Sequence, residues 1–300
     1  MKQLTVFTPA YNRGHLLPRL YESLINQTNQ DFVWLIVDDG SSDNTQFVVS
    51  DFQNENKIEI KYIFQENQGM HGAHNTAYEN INTELNTCID SDDFMPDYAV
   101  ETILEKWNSI SEEDKKKYSG IVGLDAYMNG NVIGSEFSTN YTTLEDFYLL
   151  GGKGDKKLVY RTEVMQKYPP YPIFKGEKYV GLAYKYLLAD QDYKLITINK
   201  VLVIVDYQPG GSSNNMFRQY YNNPRGFAFL RKQGMELSKS KKRKYIDAIH
   251  YVSSSFLSRN SKFIAESPAK TLTILAIPFG FILFLLVKYK NRNRPALSEL

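Results

Sequence analysis

The chain reads as an α/β protein with a mostly parallel sheet flanked by helices and a helical, membrane-associating segment near its C-terminal end. Three observations predict this. Four short apolar runs alternate with helical patterns before Asp90, each run ends in a loop rich in glycine, asparagine and acids, and Thr271 to Val287 carries no charge.

Leu4 to Thr8 is expected as a buried strand, ended by Pro9-Ala10-Tyr11-Asn12-Arg13-Gly14. Leu16, Leu17, Leu20, Tyr21 and Leu24 then recur at helical spacing. Phe32 to Val37 is a second strand, and the loop Asp38 to Thr45 offers Ser, Asp and Thr as caps for a helix through Gln53. Ile58 to Phe64 is a third strand, followed by the glycine-containing loop 65–72 and a helix from Ala73 to Asn82. Leu85 to Ile89 is the fourth, running into Asp90-Ser91-Asp92-Asp93, with Asp97 expected to cap a helix over 98–110. Ser111 to Lys117 is read as a solvated connector. Beyond it Gly120 to Gly123, Lys157 to Tyr160, Leu195 to Ile198 and Val201 to Val205 are strand-like, and Glu177 is expected to open a helix ending near Leu188. Tyr207 to Ser213 reads as a mobile loop. The resulting boundaries are a sheet domain over 1–215, a helical extension over 216–267 and an apolar helix with a basic tail over 268–300.

With 35 basic and 34 acidic side chains the formal charge is +1, which provides no global field for nucleic acid, and none is expected as a partner. The single Cys88 forms no internal disulfide, and Met1-Lys2-Gln3 leads straight into a strand; both point to the reducing cytosol. Thr271 to Val287 is shorter than the about 20 residues of a spanning helix, is interrupted by Pro278 and Gly280, and has basic flanks at Lys270 and at Lys288, Lys290, Arg292 and Arg294. An in-plane or re-entrant helix at the inner face of the cell membrane is expected; a buried core helix is the alternative.

In a parallel sheet, the loops 9–14, 38–45, 65–72 and 90–97 all follow carboxyl ends of strands and converge on one rim, where ligands bind. Clustered carboxylates at the edge of a core need a compensating charge, so Asp90 and Asp92 are candidate ligands for magnesium or manganese, with phosphate oxygens and water completing the shell. A solvated acidic turn is the alternative. Arg13 offers a cationic contact to a diphosphate, and Asp38 or Asp39 could accept from a base or ribose. His71 and His74 flank Gly72 near a helix start, where a neutral imidazole could touch phosphate or sugar; a zinc pair lacks a third ligand nearby.

Thr8-Pro9-Ala10-Tyr11-Asn12-Arg13, Val37 to Thr45, Asn67-Gln68-Gly69 through Ala73-His74-Asn75, and Ile89-Asp90-Ser91-Asp92-Asp93 resemble, in order and spacing, the successive signatures of family 2 glycosyltransferases, which have the Rossmann-like GT-A fold. The resemblance covers residues 1–110 and extends more loosely to about 215. It implies a nucleotide-sugar-binding half over 1–110 and an acceptor half over 111–215. Pro9, Tyr11 and Arg13 would line the nucleotide pocket, Asp39 would contact the uracil of a UDP-sugar, and Gly69, His74 and Asn75 would belong to the donor site. Asp90 and Asp92 would be the DxD pair, with Asp92 the direct ligand of Mn2+ or Mg2+ and Asp90 nearer the ribose. Such a metal stabilises the departing nucleoside diphosphate.

The resemblance further implies an inverting displacement onto a saccharide or lipid-linked acceptor in cell-surface polysaccharide synthesis, with one carboxylate as base. Glu177 is the candidate, although the family shows an acidic pair there and this chain has Lys178; Asp155, Asp190 and Asp192 are competitors. Two other classes stay open: a sugar-nucleotidyltransferase, which would release pyrophosphate, and a non-catalytic sugar-nucleotide-binding protein, which Lys178 favours.

Overall fold

The computed structural model describes residues 2–207 and 215–292. Gln208 to Ser213, most of the expected loop, and the tail at Arg294 lie outside the described residues. The chain divides into two compact units, Met1–Pro170 with Leu188–Gln208, and Tyr171–Leu187 with Pro209–Leu300. Residues 171–187, expected in the sheet domain, thus group with the C-terminal helices.

The first unit opens with β1 (Leu4–Ala10), α1 (Leu17–Ile25), β2 (Phe32–Asp38), α2 (Thr45–Glu55), β3 (Ile60–Phe64), α3 (Met70–Asn80) and β4 (Leu85–Cys88). It continues through α4 (Ala99–Asn108), α5 (Glu112–Lys115), β5 (Tyr118–Tyr127), β6 (Tyr141–Thr142), α6 (Leu144–Leu149), β7 (Lys156–Arg161) and α7 (Thr162–Lys167). The chain crosses between units within α8 (Ala183–Asp192) and ends the sheet with β8 (Lys194–Val205). Among the described residues the strands form one sheet in the order β3-β2-β1-β4-β7-β5-β8-β6.

β1 pairs in parallel with β2 and β4, β2 with β3, and β5 with β8. β7 is antiparallel to both β4 and β5, and β6 to β8, so the expected mostly parallel sheet is mixed beyond its first four strands. Every residue of β2 is buried, as a continuous apolar run covered on both faces requires. Over one face Tyr21 stacks on Phe52 at 4.1 Å between centroids and Phe52 lies 6.1 Å from Trp34, whose indole N–H donates to the Thr8 hydroxyl at 3.0 Å.

Four local expectations are corrected. The runs 195–198 and 201–205 are one strand, because the intervening residues bulge opposite Gly123 and Asn199 pairs its amide with both backbone groups of Phe137. The 111–117 connector contains α5, capped by Ser111, and buries Lys115 against Trp107 beside Glu84 and Glu112. Asp97 does not cap α4: Tyr98 holds the cap position without a side-chain bond, and the Asp97 carbonyl instead accepts from Thr28 at 2.8 Å. Glu177 lies in a loop ahead of α8 rather than in its first turn.

The second unit contains α9 (Met216–Asn222), α10 (Pro224–Leu237), α11 (Lys241–Leu257), α12 (Phe263–Glu266) and α13 (Lys270–Asn291). Asp247 of α11 is buried and joins Arg231 of α10 at 2.8 Å and Arg243 at 3.2 Å. α13 runs unbroken through Pro278 and packs along α11 with its small residues. A Cβ on Gly280 would stand 2.5 Å from Cβ of Val252, so only glycine permits this approach. Thr273, Ala276, Gly280 and Val287 are buried on that face, while Ile274, Leu275, Phe279, Ile282, Leu285 and Tyr289 are exposed. The alternative of a buried core helix therefore fails.

Candidate active site

The carboxyl ends of the parallel strands β1 to β4 bring four loops to one rim, and hydrogen bonds lock the first three of them together. Asn12, at φ 54°, accepts the Ser42 and Asp43 amides on Oδ1 at 2.8 and 3.3 Å and donates its own amide to the Ser41 hydroxyl at 2.8 Å. Asp43 accepts the amides of Gly14 and Thr45, and these bonds, with that of the Thr45 hydroxyl, outweigh burial and hold its carboxyl below the usual range. Loops 9–14 and 38–45 are thus one structure. Arg13 within it donates its amide to the Thr45 hydroxyl at 3.1 Å, Pro9 is partly buried and Tyr11 is exposed.

Asp39 does the same for the third loop. Its carboxylate is 4% exposed and accepts Gln65 Nε2 at 2.7 Å and the amides of Gln68 and Gly69 at 2.8 and 2.7 Å. Gly69 needs its φ of 86° to cap α3, and Gly40, at φ 83°, leaves no room for a Cβ against the Asn67 amide, 2.9 Å away. Asp38 is fully buried; it accepts the Ser41 amide at 2.8 Å and the Tyr62 hydroxyl at 2.7 Å. Burial and then this bond push the Tyr62 phenol up. Asn75 is partly buried on α3. His74 is 0% exposed, with Nδ1 2.9 Å from the Met70 carbonyl and its ring 5.1 Å from Phe7. It has no surface for a donor to touch, and the expected ligand contact is replaced by packing under the sheet; His71 is buried likewise.

The fourth loop carries Asp90, Asp92 and Asp93, whose carboxylates each offer an oxygen within 4.8 Å of the others. Burial, and then Asp90, raises the Asp92 carboxyl, with Arg13 opposing. Asp93 is pushed up to about 7, first by burial. Three oxygen donors held this close, at the cost of keeping a carboxyl part-protonated, fit a hard divalent cation. Asp90 and Asp92 would hold it, with Asp93 beside them.

Residues that sequence patterns passed over build the frame of this cluster. Arg19 of α1 donates to the Asp92 carbonyl, pairs with Asp206 at 2.8 Å and stands over the Phe94 ring at 5.2 Å. The Asp206 amide donates to Asp93 at 3.1 Å, and Phe94 exchanges backbone bonds with Ile204. Lys157 of β7 donates to the Cys88 carbonyl at 2.7 Å. None of these pairings leaves a local signal, because each joins segments about 70 or more residues apart.

Glu177 belongs to the second unit and is committed there. It is 7% exposed; Oε1 accepts the Arg225 amide at 3.0 Å and Nε at 2.9 Å, and Oε2 accepts the Gly226 amide at 2.8 Å. It caps the first turn of α10, with both of its oxygens taken by donors. Of the competitors, Asp190 is buried, accepts the Leu144 and Glu145 amides and is raised to about 6 by burial; Asp192 pairs with Lys167 at 2.7 Å. Asp155 is exposed and accepts the Tyr207 hydroxyl at 3.1 Å.

Comparison with known proteins bears on this geometry. The profile of glycosyl transferase family 2 matches residues 5–113, the segment holding all four loops. An uncharacterized glycosyltransferase of Nostoc sp. is 35% identical over 34% of this chain, which spans about a third of that relative (32%). A Campylobacter jejuni protein named GalNAc(5)-diNAcBac-PP-undecaprenol beta-1,3-glucosyltransferase is 25% identical over 100% of this chain and 98% of its own length. Among solved structures, Staphylococcus aureus TarS 1–349 with UDP-GlcNAc superposes with a TM-score of 0.61 at 19% identity, covering 92% of this chain and 80% of that one. The mannosyltransferase PcManGT of Pyrobaculum calidifontis, with GDP-Man and Mn2+, gives 0.54 at 15% identity over 99% and 76%. With the four loop signatures on a sheet of this kind, residues 5–113 match glycosyl transferase family 2, and the fold is the GT-A fold of the solved glycosyltransferases.

Proposed function

We propose that the protein is a metal-dependent, inverting glycosyltransferase that moves a sugar from a UDP-sugar to a saccharide or lipid-linked acceptor in cell-surface polysaccharide synthesis. The observation that carries it is the triad Asp90, Asp92 and Asp93 at the end of β4, on the rim where the Asn12, Asp39 and Gly69 loops are fastened together. A divalent cation held there would supply charge stabilisation for a leaving diphosphate. Arg13 adds a cation on the same rim, and Asp39 orients the 65–69 loop against which a base would lie. The UDP-GlcNAc and GDP-Man complexes of the two structural neighbours support a nucleotide-sugar donor, and the Mn2+ of one supports the metal.

With Glu177 engaged as a cap, the base role passes to Asp155, which is exposed and whose charge acts on Asp125 together with that of Asp90. The lipid-linked acceptor named for the Campylobacter relative supports work at a membrane. α13 suits lying in the interface rather than crossing it. Its large apolar residues face out, Ile282 at 63% exposure, between Lys270 and the exposed Lys288, Lys290 and Arg292. Its other face is packed on α11, whose Asp247 and Arg243 would be dragged into hydrocarbon by a crossing.

The test incubates the purified chain with Mn2+ and a panel of nucleotide sugars and a lipid-linked saccharide acceptor. Release of nucleoside diphosphate with an inverted product is expected; pyrophosphate as the product would replace this reading by nucleotidyl transfer. Co-sedimentation with anionic vesicles, lost in Ile282→Glu, checks the membrane contact.

A further inference from the structure

The Lys157 amine reaches the Cys88 carbonyl because β7 runs antiparallel beside β4, with Val159 opposite Thr87. This carries Lys157 past the end of β4, alongside the start of the acidic loop. The carboxylates whose charge acts on its ammonium are those of Asp125, Asp90 and Asp93. Asp125 lies on β5, the other neighbour of β7, where Gly123 is opposite Lys157. Its carboxylate is 4% exposed, and its Oδ1 has no hydrogen-bond partner in the structure. A buried carboxylate oxygen without a donor is tolerated where a cation stands close. Lys157 is the foremost positive charge acting on it, with Lys156 behind. Lys156 is turned elsewhere, donating to the carbonyls of Ile133, Lys153 and Asp155.

We propose that Lys157 is a resident cation of the acidic cluster, anchored on the Cys88 carbonyl with Asp125 on the neighbouring strand, and that it sets how tightly Asp90, Asp92 and Asp93 take a divalent ion; this rests on reading those acids as the metal site. Two cations near the same carboxylates repel each other, so the ammonium weakens metal binding while relieving the repulsion among the acids when no metal is bound. Asp125 acts in the opposite direction. By drawing the ammonium's charge toward β5, it leaves more of the cluster's field for the metal. Both are positioning residues, acting through the cluster.

Calorimetric titration of the full chain with MnCl2 alone, without nucleotide, tests this. Lys157→Met is expected to bind Mn2+ about tenfold tighter, Lys157→Arg within about twofold of the parent, and Asp125→Asn about threefold weaker. Effects of opposite sign are the signature, because damage to the fold would weaken both. A folded Lys157→Met with equal or weaker affinity overturns the inference. Should that variant not fold, Asp125→Asn decides: unchanged or tighter binding overturns it. A parent chain that binds no Mn2+ sinks the metal reading together with it, whereas a parent that binds and a Lys157→Met that is unaltered sinks the role of Lys157 alone.

Discussion

Glu177 accepts Arg225 twice, from the side-chain Nε at 2.9 Å and from the backbone amide at 3.0 Å. With the Gly226 amide also on the carboxylate, this acid closes the first turn of α10. Glu177→Gln should therefore leave turnover within about threefold of the parent, since general-base loss would cost about 10²-fold or more. Glu177→Ala should lower unfolding stability by about 1–3 kcal/mol, the sum of a lost cap and a half-exposed ion pair. Steady-state kinetics and urea unfolding of the two variants check this, and a collapse of kcat in a stable Glu177→Gln would restore the base role.

Asp92 faces the opposite demand, being held close to Asp90 and Asp93 where burial already raises its carboxyl. Asp92→Ala is expected to abolish the increment in thermal stability that a UDP-sugar produces with Mn2+ over the UDP-sugar alone. A stabilisation equal to RT ln(1 + [L]/Kd) makes the difference readable as about 1–3 kcal/mol at saturating ligand. An unchanged increment would remove Asp92 from the metal site.

His250 of α11 provides a pH signature. Burial, then Arg231, lowers its imidazole from 6.5 to about 4, and its ring lies 5.4 Å from Tyr220. A folded value below the unfolded one means that stability is present above pH 6.5 and is lost as pH falls toward 4, because the unfolded chain takes up the proton first. Partial solvent access reduces the effect to about 2 kcal/mol. His250→Gln should flatten the fall in urea midpoint between these limits relative to the parent; parallel curves would refute the assignment.

Gly280 is where α13 meets α11, with the Ile249 carbonyl 2.9 Å and Val252 Cβ 2.5 Å from any added Cβ. Gly280→Leu should cost about 1–3 kcal/mol as the helices are forced apart. Differential scanning calorimetry should show a lowered melting temperature, with far-UV circular dichroism near that of the parent.

Read in isolation, the amino-acid order determined the parallel part of the sheet and the loops at its rim. Continuous apolar runs such as Phe32 to Val37, short, β-branched and ended by Asp, Gly and Asn, read as strands buried on both faces and stopped by turn chemistry. The acid triplet and the uncharged helix were legible for the same reason, since a local cluster or a local absence of charge has a local cost. Tertiary structure decided what spans long separations. The insertion of β7 beside β4 brought Lys157 to Cys88, α1 delivered Arg19 to Asp92, and the start of α10 claimed Glu177. It also chose which face of α13 is covered, because Gly280 leaves a channel that Val252 fills. Long-range charge pairs and helix caps supplied from distant loops depend on where strands and helices lie in space, and no periodicity along the chain encodes that.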